Sequence, residues 1–472
     1  MKHKSRLSIL ILALLTTIVL PGSAPIQRSS PDASQRTYAA TFSILPPKDV
    51  ISPLATLQST SEEESNQIPH HPLGGQAGGQ RISYRQLATL IANANRQYGT
   101  YSAERIASGV SWLSPFAQTN LPVELLADGQ FVWGPNVGDF DIRSFLQARD
   151  SALQAYSDDI ELWARYTSVN PKILLTVLEL RYGLVNALPP DHDPDAVRAN
   201  IENTSLNMAI AFYEHLHTWG SRRLPWDLKA LATNPPLIFA DGSIIQLTSE
   251  QASGSFAVAA AVANATEFDT WIQEMFDLGP DGFHGVLGGM FPEVDPLDAS
   301  NDIDPSTPPP DNLFQFPFPL GATWRFGGPH SWAGDNTPPF SSMDFHEGGA
   351  TCSAPPGLYT VAAAGGTAYR PWGYTCWLEI DHGNDWTTSY YHMQNTIDPQ
   401  GVSLYQNSSL GTIACEVCAG GWASGPHVHW TLKYNGAYVS LEGVKVSGWT
   451  IHVGPTAYNS GYIERDGVTL NP

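Results

Sequence analysis

The sequence predicts a multidomain protein in which a mostly α-helical N-terminal region precedes an antiparallel β-sheet domain. This prediction rests on the length of 472 residues, on the helical spacing of apolar residues in the middle of the chain, and on a change of composition after residue 311. A chain of this length holds two or three domains, each with its own core. The formal net charge of −21 argues against a nucleic-acid partner.

The first residues have the layout of an export signal. A basic cluster is followed by an apolar run over residues 7–20 and by small residues up to Ala24, which is the order found in secretory signal peptides. The run is shorter than the roughly 20 residues of a membrane-spanning helix, so a permanent anchor is the weaker alternative. We predict a signal peptide over residues 1–24, a secreted protein, and no stable membrane insertion after removal of the signal.

The part of the chain before residue 298 divides into a polar and a helical segment. Residues 25–80 are rich in Ser, Pro, Gly and Gln and are predicted to be a linker or weakly ordered. Over residues 81–297 apolar residues recur at helical spacing. The start and stop signals predict helices over residues 172–182, 195–219 and 256–276.

One of these predicted helices allows a second interpretation. The segment Val169–Glu179 resembles the helix that carries the catalytic glutamate in lysozyme-like lytic transglycosylases. Alignment on Gly183 places Arg181 at the position of that glutamate, and Glu179 lies half a turn away. A helix of a packed bundle is therefore the favoured interpretation, and a glycosidase in the helical half is the alternative.

Residues 298–311 are acidic and contain four prolines, which predicts an extended linker that joins neither neighbouring core. Beyond it, residues 312–472 hold all four cysteines, eight of the 14 tryptophans and seven of the 14 histidines. Short apolar runs separated by Gly, Pro and Asn435-Gly436 predict antiparallel strands. The predicted strands are residues 359–363, 376–381, 386–392, 410–414, 427–434, 437–441 and 450–453.

The histidine pair in this domain predicts a metal site. In a strand over residues 427–434, His427 and His429 lie on one face, whereas Val428 and Trp430 lie on the other. One histidine of such a pair can ligate zinc while the other reaches the water next to the metal. The spacing alone also fits a strand that carries two histidines by chance.

Two further segments carry histidines in a related setting. His330 follows a Gly-Gly-Pro step and precedes Met343-Asp344-Phe345, and His392 follows the apolar run Tyr390-Tyr391. Together with the histidine pair, these segments resemble the lysostaphin-like zinc endopeptidases, and among them the β-lytic and staphylolysin subgroup. The resemblance covers residues 312–472 in order and with similar spacing.

The resemblance implies a role for each of these side chains. His330, Asp344 and His429 would hold one Zn²⁺ per chain, and His392 and His427 would flank the water that attacks the substrate. The chemistry is consistent with this set. Two histidines and one carboxylate leave the fourth tetrahedral position open, as in catalytic zinc sites, and histidines that bind no metal can transfer protons.

Two further assignments depend on the same resemblance. Tyr458 falls where the subgroup has a tyrosine that helps to hold the developing oxyanion. Many relatives place the aspartate nearer the first histidine, where this chain has Asp335. We favour Asp344 because its Met-Asp-Phe setting matches the subgroup, whereas Asp335 lies in a Gly-Asp-Asn turn.

The cysteines predict disulfides. An even number of cysteines in one part of an exported chain favours two disulfides, and a zinc site built from four thiolates is the alternative. The resemblance implies a bond between Cys376 and Cys418, which leaves Cys352 and Cys415 as the second pair.

The function implied by the resemblance is that of a secreted zinc metalloendopeptidase. Its partners would be bacterial peptidoglycan peptides, cut at glycine-containing cross-bridges or stem-peptide links, by a protein expected to act as a monomer. The helical region would be a pro-region, removed at residues 298–311. Aromatic groove walls are expected at Trp332, Trp372, Tyr390 and Trp422. The alternative is a catalytically inert wall-binding or amidase-activating module of the same superfamily.

Overall fold

The computed structural model describes residues 124–219, 236–240, 244–246, 251–276, 279–371, 373–399 and 401–472. The predicted signal peptide, the polar segment after it and Trp372 lie outside the described residues. The predicted fold class is confirmed, because a helical region precedes an antiparallel β domain. The helices are α1 (Asp128–Phe131), α2 (Ile142–Ala148), α3 (Ser157–Thr167), α4 (Pro171–Tyr182), α5 (Leu184–Ala187), α6 (Pro194–Glu214), α7 (Ser253–Ala263), α8 (Phe268–Phe276) and α9 (Phe283–Met290).

Helix α4 begins and ends where the sequence signals predict. The Asn170 side chain accepts a hydrogen bond from the Lys172 amide, and Pro171 occupies the first helical position, where its missing N–H costs nothing. Gly183 ends the helix in the left-handed region, with φ of 63°. The eight residues from Pro171 to Leu178 are buried, so the helix lies inside the helical core.

The predicted helix over residues 256–276 is two helices, α7 and α8. After Ala263 the Thr266 hydroxyl donates to the carbonyl of Val262, and the Thr266 amide to that of Ala263. Asn and Thr have low helix propensity and bond to nearby backbone, which favours a turn here. Helix α6 is close to its predicted extent and continues as a π-helical turn over His215–Trp219.

The strands pair in antiparallel fashion throughout, as predicted. The largest sheet has the order β10-β6-β7-β8-β12-β4-β3, and β13 also pairs with β12. The strands are β1 (Pro236–Ile238), β2 (Ile244–Gln246), β3 (Arg325–Phe326), β4 (Ser342–His346), β5 (Tyr359–Val361), β6 (Gly366–Tyr369), β7 (Leu378–Asp381), β8 (Trp386–Tyr391), β9 (Met393–Gln394), β10 (Val402–Leu404), β11 (Ser409–Ile413), β12 (Val428–Tyr434), β13 (Ala437–Tyr438), β14 (Lys445–Val446), β15 (Trp449–His452), β16 (Tyr462–Arg465) and β17 (Val468–Leu470).

The two faces of this sheet pack against different partners. Val428, Trp430 and Leu432 of β12 are fully buried in a core made only of β-domain residues. Burial of each such side chain stabilises the fold by roughly 1.5–3 kcal/mol. The alternate residues His429 and Lys433 lie on the opposite face, since neighbouring side chains of a strand point to opposite sides.

The helical region covers part of this second face. Trp332, Trp377, Tyr391 and Tyr438 of the β domain belong to the same hydrophobic cluster as the helical core. The Tyr438 hydroxyl donates to the carbonyl of Tyr166 in α3, at 2.7 Å. One continuous core therefore joins the two regions.

A hairpin turn forms a close backbone contact between the regions. Asn435 and Gly436 have φ of 48° and 85° and connect β12 to β13. A Cβ at Gly436 would clash with the Trp133 carbonyl and would lie 2.8 Å from Cα of Gly134. The Ser168 hydroxyl donates to the carbonyl of Gly436. Glycine is needed at Gly436 for its conformation and for this contact.

The acidic, proline-rich segment differs from its prediction in one respect. It was expected to join neither core, but Ile303 is buried in the helical core. Asp302 accepts a hydrogen bond from the Gly129 amide, and Asn301 donates to Asn136. An apolar residue between two aspartates is enough to fix the segment to α1. The domain boundaries themselves stay a prediction.

Among the described residues, no helix combines the length and the apolar character that crossing a membrane requires.

Candidate metal centre

Two adjacent strands and one bridging segment place three potential metal ligands together. Asp344 of β4 lies directly opposite His429 of β12 in the antiparallel register. His330 precedes β4 and pairs with Ser342, the two residues exchanging backbone hydrogen bonds of 3.0 Å. A side chain at Gly328 would meet the Tyr458 carbonyl oxygen at 2.7 Å. The chain can therefore lie this close to the segment of Tyr458 only with glycine there.

The three ligand atoms form a nearly regular triangle. Nε2 of His330 lies 3.1 Å from Nδ1 of His429 and 3.3 Å from Oδ1 of Asp344. Nδ1 of His429 lies 3.1 Å from the same oxygen. Zinc bound tetrahedrally by nitrogen and oxygen at about 2.0–2.1 Å separates its ligand atoms by about 3.3 Å. The triangle has the size that such a metal requires, and its members are the three residues that the family resemblance implies as ligands.

The protonation states also suit a metal. Nδ1 of His330 lies 2.9 Å from the Gly328 carbonyl oxygen. Nδ1 therefore donates to that oxygen, which leaves Nε2 as the ring nitrogen that faces the triangle. Burial alone would raise the pKa of the Asp344 carboxyl, but His330 and His427 beside it and hydrogen bonds from the histidines hold that pKa well below its usual range. Burial lowers the pKa of His429. The carboxylate is charged and the imidazole neutral, as ligands must be.

His427 lies next to the triangle, with one ring nitrogen facing Asp344. Its Nδ1 is 2.8 Å from the Gly425 carbonyl oxygen and donates to it. Its Nε2 is 3.5 Å from Oδ2 of Asp344, the carboxylate oxygen that is not part of the triangle. His427 therefore lies beside the candidate metal site, but its ring nitrogen is not one of the three atoms of the triangle.

His392 adds a second histidine ring beside that of His427. Its Nδ1 lies 2.8 Å from the Glu416 carbonyl oxygen, and its ring centroid lies 4.6 Å from that of His427. Burial, together with His427 and His429, lowers the pKa of His392 to about 3. Its φ of 64° is unusual for a residue with a side chain. This backbone conformation follows the end of β8, where the sequence predicted a strand residue.

The loop that orients His392 is fixed by two disulfides. Cys352 is bonded to Cys415, and Cys376 to Cys418, so both expected pairings are present and no described cysteine is free. The hydroxyl of Tyr391 accepts the amide hydrogens of Cys418 and the next residue. The Glu416 carbonyl therefore has a fixed position.

The structure places Tyr458 against the ligand set. Its ring stacks on that of His330 with centroids 4.0 Å apart, and its hydroxyl donates to the Gly334 carbonyl oxygen at 3.2 Å. Burial, with Asp344 and Asp335 nearby, raises the pKa of Tyr458, so the phenol keeps its proton. Its φ is also 64°.

Two residues that the sequence left as alternatives lie outside the site. Asp335 accepts hydrogen bonds from the hydroxyls of Ser331 and Thr337 and belongs to a turn. Glu179 accepts two backbone amides at the start of α5 and the side-chain amide of Asn186. Each carboxylate has a structural role.

A pocket adjoins the ligand triangle, and the expected groove residues contribute to it unequally. Trp332 and Trp422 line the pocket, the latter 73% exposed. Tyr390 is buried in the core on the other face of the sheet, so its predicted place in the groove wall is wrong. Tyr166 of the helical region also lines the pocket. Nothing in the sequence near Tyr166 connects it with a site more than 150 residues away.

Comparison with known proteins identifies the family. The model for "Peptidase family M23" matches residues 345–441, and the model for "LasA, N-terminal domain" matches residues 124–293. The β-lytic metalloendopeptidase of Lysobacter enzymogenes is 36% identical over 166 residues, which are 34% of this chain and 92% of that protein. The chain belongs to peptidase family M23. It is accordingly a peptidase.

Other relatives match different shares of the chain. Protease LasA of Pseudomonas aeruginosa is 29% identical over 360 residues, 71% of this chain and 79% of that protein. The β-lytic metalloendopeptidase of Achromobacter lyticus is 36% identical over 166 residues, and this chain spans 44% of its length. A solved structure, the M23 metalloprotease pseudoalterin, is 34% identical over 34% of this chain and 94% of that chain, with a TM-score of 0.32.

Proposed function

We propose that this M23 peptidase is a secreted, zinc-dependent endopeptidase that hydrolyses peptide bonds of bacterial cell-wall peptidoglycan, at glycine-containing cross-bridges or stem-peptide links. The observation that carries the proposal is the triangle of His330, Asp344 and His429. The distances between its ligand atoms match those around a tetrahedral zinc ion, and two further histidines lie beside it. The names of the β-lytic relatives support a lytic role.

Zinc held by this triangle would supply a Lewis acid that polarises the scissile carbonyl and lowers the pKa of water toward neutrality. The chain's own residues would move the protons. Nδ1 of His427 and Nδ1 of His392 each donate to a backbone carbonyl, so each Nε2 is the atom that can accept a proton. The phenol of Tyr458 has one hydrogen, which it could donate to a developing oxyanion only by leaving the Gly334 carbonyl oxygen.

The helical region is proposed to be a pro-region. It covers the sheet face that carries the ligands, shares a core with the β domain, and contributes Tyr166 to the pocket. The match of residues 124–293 to the N-terminal domain model of LasA supports a unit distinct from the peptidase domain. Sequencing the N-terminus of the protein from culture supernatant tests this proposal, because an unprocessed and fully active chain would contradict it.

A pair of aspartate variants tests the metal assignment. Asp344→Asn removes a charged ligand and is expected to lose bound zinc and to lower cell-wall lysis by at least about 10³-fold. Asp335→Asn, the matched control, is expected to keep both. Zinc is measured by elemental analysis of protein from culture supernatant, and lysis by loss of turbidity of a peptidoglycan suspension, with and without a chelator.

The outcome also separates the two candidate functions. Stoichiometric zinc in the wild type without any release of peptide fragments, followed by mass spectrometry, would favour an inert wall-binding or amidase-activating module. Equal loss of zinc in both variants would show that Asp344 is not specifically a metal ligand. Light scattering of the same samples tests the expected monomer.

A further inference from the structure

The hydroxyl of Tyr391, the last residue of β8, makes three hydrogen bonds to one loop. Its oxygen accepts the backbone amide of Cys418 at 2.7 Å and that of Ala419 at 2.6 Å. The single hydrogen of the phenol is therefore free to be donated to the carbonyl oxygen of Gly420, 3.2 Å away. The hydroxyl thus uses both lone pairs and its hydrogen on three consecutive residues.

These bonds are the main side-chain hydrogen bonds of a loop that lies near solvent. Glu416 and Val417 are exposed, and the three residues after them are partly exposed. Among the described residues, only Tyr391 and His392 use side chains to hydrogen-bond the backbone of residues 416–420. All of these residues belong to the β domain, so the contacts do not require the helical region.

The same part of the chain holds both histidines that lie beside the ligand triangle. The Glu416 carbonyl oxygen accepts the ring Nδ1–H of His392. Just before the loop, the Ala414 amide donates to the His392 carbonyl at 2.9 Å, and the His427 amide donates to the Ala414 carbonyl at 3.1 Å. A displacement of the 416–420 loop would therefore turn the His392 ring relative to that of His427.

The two disulfides do not fix the Glu416 carbonyl by themselves. They hold the side chains of Cys415 and Cys418, and the backbone between these residues keeps two rotatable dihedral angles per residue. The Cys418 amide belongs to the peptide group next to the one that contains the Glu416 carbonyl. Its bond to Tyr391 therefore restricts the rotations that would turn this carbonyl away from His392.

We propose that the hydroxyl of Tyr391 positions the proton-transferring histidine: by holding the 416–420 loop, it keeps the Glu416 carbonyl, and with it the His392 ring, in the orientation that hydrolysis requires. Tyr391 is thus a positioning residue that acts through the loop. This inference rests on the proposed function, in which His392 transfers a proton, and adds a residue to that reaction.

Two matched variants test this role. Tyr391→Phe removes the hydroxyl and keeps the ring that lines the pocket. Tyr390→Phe is the control, because the Tyr390 hydroxyl also accepts a backbone amide, that of Ala363 at 2.7 Å, but in the β-domain core on the other face of the sheet. The two variants lose the same atom at adjacent residues of one strand.

Hydrolysis of soluble peptidoglycan fragments is measured with zinc-loaded protein from culture supernatant. For Tyr391→Phe, we expect kcat to fall by about 10- to 10²-fold at an unchanged KM, because a small displacement of a catalytic group slows the reaction without weakening substrate binding. Tyr390→Phe should keep the kcat and KM of the wild type. Both variants should unfold at a lower temperature, because each leaves a buried backbone amide without its acceptor.

Two kinetic outcomes would overturn the proposal. An equal loss of kcat in Tyr390→Phe and Tyr391→Phe would mean that lower stability alone reduces the rate. A wild-type kcat in Tyr391→Phe would mean that the hydroxyl has no part in the reaction.

The His392 ring also provides a readout that does not depend on activity. In protein labelled with ¹⁵N in its histidines, the Nδ1–H of His392 should give a downfield NMR signal because it donates to the Glu416 carbonyl, and its absence from His392→Ala assigns it. The signal should broaden or vanish in Tyr391→Phe and persist in Tyr390→Phe. A signal that persists unchanged in both variants would contradict the proposal.

The two readouts separate this inference from the proposed function. A wild-type protein that releases no peptides would contradict the proposed function, and loss of the His392 signal in Tyr391→Phe alone would still support the positioning role. Normal hydrolysis by the wild type and by Tyr391→Phe would leave the proposed function standing and overturn the positioning role.

Hydrogen exchange of the wild type decides if Tyr391→Phe does not fold. The amides of Cys418 and Ala419 should exchange at least about tenfold more slowly than the amide of Val417, which has no acceptor among the described residues. Equal exchange of the three amides would show that the Tyr391 hydroxyl does not hold the loop.

Discussion

The two faces of strand β12 pack against different parts of the molecule, although their residues alternate along the same seven positions. The face with Val428 and Trp430 packs against residues of the β domain alone. The face with His429 and Lys433 is shared between the ligand triangle and the helical cover, where Lys433 forms a buried ion pair with Glu379 at 2.7 Å. The first face packs into the core of the β domain. The second face carries polar side chains that form the candidate metal site and contact the helical region.

The largest effect is expected at His392, beside the ligand triangle, and concerns the rate of peptide hydrolysis. His392→Ala should lower peptide hydrolysis by about 10²- to 10⁴-fold, the usual contribution of a proton-transferring side chain. Zinc content and unfolding temperature should stay near the wild-type values, because His392 lies outside the triangle. Rates and elemental analysis on one preparation check this.

A histidine elsewhere in the β domain supplies the control. His382 bonds to the Gly365 carbonyl and the Thr388 hydroxyl and is distant from the pocket lining. His382→Ala should therefore leave the rate near wild type. If His392→Ala also removed the zinc, His392 would be a ligand rather than a proton carrier.

An intermediate effect is expected where the two regions meet. Gly436 and Gly467 both have positive φ in two-residue hairpin turns, but only Gly436 faces the helical region, since no atom lies within 4 Å of a Cβ at Gly467. Gly467→Ala should cost about 1–2 kcal/mol through its conformation alone. Gly436→Ala should cost about 1–3 kcal/mol more because of the clash with Trp133. Chemical denaturation of both variants gives the difference.

The smallest effect is a pH dependence at Glu214 of α6, whose carboxyl senses the charge of Asp335 in the β domain. Burial, followed by the nearby Asp335, raises the pKa of Glu214 from 4.5 to about 7. Because the folded state holds the proton more tightly, the stability is complete below pH 4.5 and falls as the pH rises to about 7. Glu214→Gln should remove this loss, so its advantage in unfolding temperature should grow by a few degrees over that range. A constant difference between pH 4 and 8 would refute the assignment.

The sequence predicted the fold class and the alternation along β12 because both depend on local patterns. The spacing of His427 and His429 places them on one face whatever packs against them. The resemblance added His330 and Asp344, which are far apart in the sequence, and the structure brings them together. The substrate, the metal and the proton carriers stay predictions.

What the sequence could not provide depends on contacts between distant segments. The strand Ser342–His346 is short and has only Met343 and Phe345 as apolar residues, so its pattern did not predict a strand, although it carries Asp344. Ile303 joins the helical core from a segment whose composition favours an extended linker. Tyr166 has the sequence setting of an ordinary helix residue, and only its contacts with Trp332 and Tyr391 of the β domain place it in the pocket.

The short segment from Cys415 to Cys418 ties chemistry to redox state. Each of the two disulfides has one end in this segment, and the carbonyl between them holds the ring of His392. In a reducing compartment both disulfides would be open, and the His392 ring would lose its fixed orientation. Under the proposed function, a chain that folds before export would lack the fixed His392 ring that hydrolysis needs, independently of any covering domain.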